Sequence, residues 1–242
     1  MTNLRTTCAV TTCLLLAALP LRGQQVADFV LWGGLFGDHR FGARSSLYWD
    51  YHPRRADGGR VWQLNLGALG YTRDLSKQWR AMAGLGVSHG YRYGEFPART
   101  NTFELRPLVQ LMGTRRVGAW TWSDRSRAEF RVIRATGDLA PEGADWNPTV
   151  VRLRRQDRLL HNLTQDGRWY GAFSQEFLVN VHPARARVAM LEQTRTQVVV
   201  GHALTPTNRV ELGYGLQRLN RTGGFEMNHG LLLYYRTTTP FR

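Results

Sequence analysis

The residues whose types and spacing could do chemistry in this chain are charged and stand two apart. In Arg125-Ser126-Arg127-Ala128-Glu129-Phe130-Arg131-Val132, charged and uncharged residues alternate. In a β-strand this puts Arg125, Arg127, Glu129 and Arg131 on one face and Ser126, Ala128, Phe130 and Val132 on the other. Glu104 and Arg106, Arg152 and Arg154, Glu176, Arg195, and Arg209 with Glu211 follow the same habit in other segments. If these twelve residues share one interior, their simplest chemistry is mutual pairing, because the planar arginine fork meets a carboxylate at both oxygens. The functional alternative is a polar pore or solute site whose positive excess favours anions.

Other chemistries find less support. Ser88 and His89 are adjacent, so in a strand they face opposite ways, and neither His-x-Ser nor Ser-x-His occurs. The 7 histidines are scattered singly, without the spacing of metal ligands. A glycine-rich phosphate loop ending in Lys-Ser or Lys-Thr is lacking. The expectation is a protein that is not an enzyme and uses no cofactor or metal. Asn162-Leu163-Thr164 and Asn220-Arg221-Thr222 match a glycosylation pattern that carries little weight in a bacterial host.

Lys plus Arg number 32 against 18 acidic residues, and Lys77 is the only lysine. Such an excess would ordinarily raise nucleic acid as a partner. Here the arginines are strung along strand-like segments and interleaved with glutamates, so no nucleic acid is expected. Near the N-terminus, Arg5 precedes an apolar run from Cys8 to Leu21 that is too short to span a bilayer but suits a secretory leader. Residues 1–23 are read as a cleaved signal peptide and 24–242 as one barrel domain. Both cysteines, Cys8 and Cys13, fall in the leader, which leaves a mature chain without disulfides.

The elements that must position the charges read as strands throughout. They run from Ala27 to Phe36, Phe41 to Tyr51, Val61 to Thr72, Gln78 to Arg92, and Phe103 to Leu111. The opening stretch follows, then Val150 to Arg155, Trp169 to Val181, Arg195 to Ala203, Arg209 to Tyr214 and Glu226 to Arg236. Pro53 to Gly59 reads as a polar loop. In the third strand Trp62, Leu64, Leu66 and Ala68 form an apolar face opposite Gln63, Asn65 and Gly67, and in the fourth Trp79, Ala81, Ala83, Leu85 and Val87 do the same. Trp62, Trp79 and Trp169 at strand starts suit a membrane-interface girdle. The loop from Ala135 to Pro148, with Trp146 among acidic residues, is a candidate external contact surface. Pro107 inside a strand pattern marks an edge or bulge. These segments count to eleven, but bacterial single-chain barrels close with an even number. Twelve strands are therefore expected, with ten as the alternative, and the missing strand is sought between Gly113 and Ser123, in the loops, or between Pro183 and Gln193.

The succession Glu104-Leu105-Arg106-Pro107 with Gln110, then Arg125-x-Arg127-x-Glu129-x-Arg131, Arg152-x-Arg154, Gln175-Glu176-Phe177 with Asn180, Arg195, Arg209-Val210-Glu211-Leu212-Gly213-Tyr214 and Asn228-His229 resembles an uncharacterised family of bacterial outer-membrane proteins, the domain-of-unknown-function 2490 family. The resemblance covers nearly the whole mature chain and implies an exported barrel without an established activity. The reading is an all-β, antiparallel transmembrane β-barrel with an Arg/Glu-lined interior, resident in the bacterial outer membrane. Its expected partners are outer-membrane lipid and the barrel-assembly machinery, which favours an aromatic end such as Phe241. Passive passage of small solutes is the preferred role, and a non-conducting structural or loop-binding barrel is the second. A membrane lipid hydrolase is the least favoured. Substrate, register and oligomeric state stay open.

Overall fold

The computed structural model describes residues 24–94, 98, 100–181, 189–221 and 224–239. The leader, Glu95-Phe96-Pro97, most of the segment after Val181, Thr222-Gly223 and Phe241 lie outside the described residues. Eleven strands follow one another: β1 (Gln24–Arg40), β2 (Ser45–Ala56), β3 (Val61–Asp74), β4 (Trp79–Gly90), β5 (Asn101–Val117), β6 (Trp120–Thr136), β7 (Asn147–Asn162), β8 (Trp169–Val181), β9 (Leu191–Ala203), β10 (Asn208–Arg221) and β11 (Gly224–Thr237). One 3₁₀ turn, Asp57–Gly59, joins β2 to β3.

Each strand pairs with its sequence neighbours, and β1 pairs with β11, so the sheet closes into a barrel. The expectation of twelve or ten strands is corrected to eleven. An even count would let every pair run antiparallel. With eleven, the first and last strands point the same way, and β1 and β11 close the barrel as a parallel pair from Gln24↔Gly224 to Gly37↔Thr237. The region searched for a twelfth strand, Gly113 to Ser123, is the end of β5 and the start of β6, joined by a tight turn. The odd count also puts the start of β1 and the end of β11 on opposite rims. The rim at the end of β11 carries the links 41–44, 75–78, 118–119, 163–168 and 204–207, whereas 57–60 and the longer stretches from β4 to β5 and from β6 to β7 lie at the other.

Alternation sets which side chains are buried. On β6, Arg127 and Glu129 are buried while Phe130 is exposed; on β4, Met82 and Ser88 are buried while Leu85 and Val87 are exposed. Two apolar clusters fill part of the inside: Trp32, Ala172, Val199, Leu232 and Tyr234, and Ala68, Met82 and Leu108. Close approach at one strand pair demands glycine. A Cβ on Gly84 would run into the Leu69 carbonyl oxygen and sit 2.8 Å from the Gly70 Cα.

Two local expectations are corrected. The residues read as the polar loop after Tyr51 continue β2 through Ala56. In β3 the pairing steps from Arg54↔Leu64 to Arg55↔Trp62, so Gln63 is an extra, unpaired residue. Such a bulge puts neighbouring side chains on the same side. Trp62 stays exposed, Gln63 is buried, and Leu64, Leu66 and Ala68 turn inward, opposite to the simple alternation. Leu69 and Tyr71 take the exposed face instead.

Three histidines on the short-link rim each meet a tryptophan. Trp49 Nε1 donates to His39 Nε2 at 2.9 Å, and the rings of Trp120 and His161 and of Trp169 and His202 lie 4.8 and 4.3 Å apart.

Candidate functional site

A cavity of about 600 Å³ is lined by residues from all eleven strands. Of the twelve charged residues picked out by spacing, eleven line it. The remaining one, Glu129, is 1% exposed and paired with arginines that do.

Cross-strand register explains the meeting. Gln110, Arg127 and Arg154 are successive partners across β5, β6 and β7, and Leu108, Glu129 and Arg152 form the next inward row. Neighbours in a row and on its diagonal lie within reach of long side chains. Glu129 accepts from Arg152 Nε at 2.8 Å and from Arg154 Nη1 at 2.7 Å, with Arg127 Nη1 at 3.5 Å. Arg154 turns its other edge to Glu176, donating through Nη2 at 2.7 Å, and Glu176 also receives Arg125 at 2.9 Å and Arg195 at 3.1 Å. Arg106 grips Glu104 through Nε and Nη2 at 2.6 and 2.8 Å, and Arg131 donates to the same carboxylate. A second knot gathers at Glu211, which accepts from Arg158 Nη2 at 2.7 Å and the Tyr170 hydroxyl at 3.0 Å, with Arg236 Nε at 3.2 Å. Arg209 lies near this knot, its guanidinium carbon 5.8 Å from the Tyr170 ring centre.

Spacing missed several residues of the cavity. Glu192 at the start of β9 joins the network by accepting from Arg152 Nη1 at 3.1 Å. Arg158 stands two steps beyond Arg154 in the alternation of β7, and Arg236 is the last residue of the strand read from Glu226, so that signal was there to be read. Arg54 was hidden by its setting in Pro53-Arg54-Arg55 before Gly58-Gly59, which reads as a turn. In the barrel Arg54 opposes Trp32 across the β1–β2 ladder and is 5% exposed. Its guanidinium carbon stands 3.5 Å from the Trp32 ring centre, and that of Arg195 lies 5.2 Å from the same ring. Among the described residues no acceptor meets Arg54 Nε, Arg127 Nη2 or Arg195 Nε.

The cavity therefore has two parts with different chemistry. From β5 to β9, arginine and glutamate neutralise each other. Around Trp32, Arg54 and Arg195, cations face an aromatic ring with hydrogen-bonding capacity left over. In total, eleven arginines face five carboxylate residues, Asp50, Glu104, Glu176, Glu192 and Glu211, around the cavity among the described residues; Asp124 borders it but turns its carboxylate to Arg155 on the outer wall. Buried donors without partners are rare in folded proteins, and here four of them, with Arg125 Nε beside the three already named, belong to cations around one cavity.

The reading of Ser88 and His89 as back to back matches their surroundings. Ser88 Oγ accepts from Arg106 Nη2 at 3.0 Å, whereas the His89 ring lies 4.4 Å from that of Tyr91. In the candidate external loop, Trp146 packs edge-on against Phe103 at 5.8 Å.

No curated protein matches this chain. A family match extends over residues 29–228, which takes in every charged residue picked out by spacing, and the chain accordingly belongs to the family described as proteins of unknown function, DUF2490.

Proposed function

We propose that this protein is an outer-membrane β-barrel whose lumen admits small anionic solutes. The membrane part of the reading is supported by the reversal of ordinary polarity. Most of the charged residues picked out by spacing are buried and paired, while Leu35, Leu69, Leu85, Val109, Leu153, Val198, Leu212 and Leu233, on eight of the eleven strands, stand exposed. That is the pattern of a lipid-facing wall around a polar interior. The two longer links between described strands, from β4 to β5 and from β6 to β7, share one rim, as external loops would, and the links on the opposite rim are six residues or fewer, as periplasmic turns are. An apolar leader, outer-membrane lipid and an assembly machinery that recognises the C-terminal end belong to the same reading.

The observation that carries the solute class is Arg54. A buried guanidinium stacked on Trp32, with no described carboxylate bound to it, sits in a cavity where cations outnumber anions. A small carboxylate or phosphate would find there the planar, charge-assisted donors that such groups prefer. The volume lies within the roughly 300–1,000 Å³ typical of small-molecule sites.

The test is the reversal potential of the refolded mature chain in a planar bilayer under a salt gradient, beside Arg54→Gln. One charge at about 4 Å in a water-like medium is worth about 1 kcal/mol, so the variant should lose a factor of about five in anion-over-cation preference. Arg54→Lys should keep most of it. An unchanged reversal potential would remove Arg54 from the argument. A second reading is favoured by the dense pairing at Glu104, Glu129 and Glu176: a barrel filled by its own side chains that conducts nothing. A fully folded barrel without discrete openings would select it.

A further inference from the structure

The outward face of the barrel is apolar along most strands, and a charged interruption stands midway along β7. On β7 the outward-facing residues run Val151, Leu153, Arg155, Asp157, Leu159, so two charges stand between apolar neighbours on both sides. They are not isolated. Asp124, Asp157, Gln175 and Thr196 are successive partners across β6, β7, β8 and β9, forming one polar row. The next outward row toward the short-link rim is Trp122, Leu159, Phe173 and Val198. On the opposite side, past Ser126 and Arg155, come Ala128, Leu153 and Val179.

The polar row is a built feature. Arg155 Nη1 donates to Asp124 Oδ2 at 3.0 Å and to Ser126 Oγ at 3.0 Å, and its Nη2 donates to Asp157 Oδ1 at 2.9 Å. Trp122 Nε1 donates to the same Asp157 oxygen at 3.1 Å, and Thr196 Oγ1 donates to Gln175 Oε1 at 2.6 Å. Gly113 makes the room, since a Cβ there would collide with the Asp124 carboxylate. Asp124 is buried beneath the cluster, yet the Arg155 and Asp157 side chains remain 44% and 40% exposed. Arg115, stacked 4.0 Å from the Trp122 ring centre, adds a second cation within 3.6 Å of Asp124.

We infer that this polar row is the contact surface for a second copy of the chain within the membrane. The inference rests on the reading of the barrel as membrane-spanning: in water the cluster would be an ordinary surface network. Facing hydrocarbon, half-exposed charges at mid-strand are costly and call for a polar partner. The patch holds two arginines and two aspartates, so a purely anionic headgroup or a purely cationic ligand gains little net attraction. A surface carrying both signs side by side complements itself. Two copies inserted in the same direction are related by a two-fold axis along the membrane normal, which brings groups of equal depth together. Arg155 of one copy then reaches along the seam to Asp157 of the other, about 6–7 Å away along the strand and within the span of an arginine side chain, the Gln175 and Thr196 pairs meet at the same level, and Phe173, Phe177 and Val198 close the seam against lipid.

The experiment uses the mature chain refolded into phospholipid vesicles and transferred to a mild detergent, with its mass read by sedimentation across a range of protein-to-detergent ratios. The expected result is a dimer. Asp157→Arg and Arg155→Asp should each be monomeric with at least a tenfold rise in dissociation constant, and an equimolar mixture should restore a heterodimer, because the unlike charges again face each other. Heat-modifiable migration of each variant checks that the barrel is folded; if either fails to fold, the wild-type mass decides alone. A folded, carbonate-resistant wild-type barrel that is monomeric at every ratio overturns the inference and leaves the membrane reading standing. A chain released from vesicles by carbonate overturns both.

Discussion

Glu129 is the carboxylate on which the buried network turns, and neutralising it is the sharpest test of that network. Glu129→Gln keeps the side-chain shape and removes the charge. Arg152 and Arg154 lose a charge-assisted hydrogen bond at 2.8 and 2.7 Å, and Arg127 loses its nearest anion at 3.5 Å. Breaking a buried pair by removing one partner costs about 3–5 kcal/mol, chiefly because the remaining charge is left uncompensated. Here the lower end applies, since Arg152 keeps Glu192, Arg154 keeps Glu176 and Arg127 keeps Gln110. A loss of about 3 kcal/mol is expected in urea unfolding of the vesicle-refolded chain, followed by tryptophan fluorescence. Glu129→Gln combined with Arg152→Gln should recover part of it, because the two residues are direct cross-strand partners and their effects are coupled. The proposed solute path adds a second readout: the uncompensated arginines should raise anion preference in the bilayer. A Glu129→Gln barrel within about 0.5 kcal/mol of the wild type, comparable to an ordinary surface substitution, would refute the reasoning. It would mean that water, and not protein, solvates these arginines.

Two further perturbations probe closure. Gly84→Ala should destabilise the β3–β4 ladder by forcing a Cβ against the Leu69 carbonyl, visible as faster amide exchange on both strands; wild-type exchange would show that the strands can part at no cost. Deleting residues 24–40 removes β1 and leaves β2 and β11 as open edges, so the shortened chain should aggregate on refolding where the full chain gives a heat-modifiable band. A folded, soluble product from this deletion would mean that the parallel closing pair is dispensable.

Much of the architecture was legible in the chain, and the reasons are local. Period-two alternation assigned the buried faces of β4, β5, β6 and β8 because one face of a strand carries one kind of chemistry. Arg125, Arg127, Glu129 and Arg131 could be placed together from that alone. The alternation failed wherever a distant strand decides the outcome. The bulge at Gln63 exists because β2 and β3 pair with one residue to spare, and it turned Leu64, Leu66 and Ala68 inward against their pattern. Arg54 looked like part of a turn, and only the ladder between β1 and β2 carries it over Trp32. Arg154 and Arg155 are adjacent arginines that face opposite ways, one into the Glu129–Glu176 network and the other onto the outer wall.

The eleven strand segments were countable from the sequence, whereas the parity rule argued against that count. A sequence by itself sets the period of each strand, since that depends on the backbone and on neighbours one or two residues away. Which strand closes on which, and therefore whether β1 and β11 can meet in parallel, depends on contacts between the two ends of the chain. Those contacts exist only once the sheet has curled, so the closing pair, the cavity and the groups that face each other across it were decided by the tertiary structure.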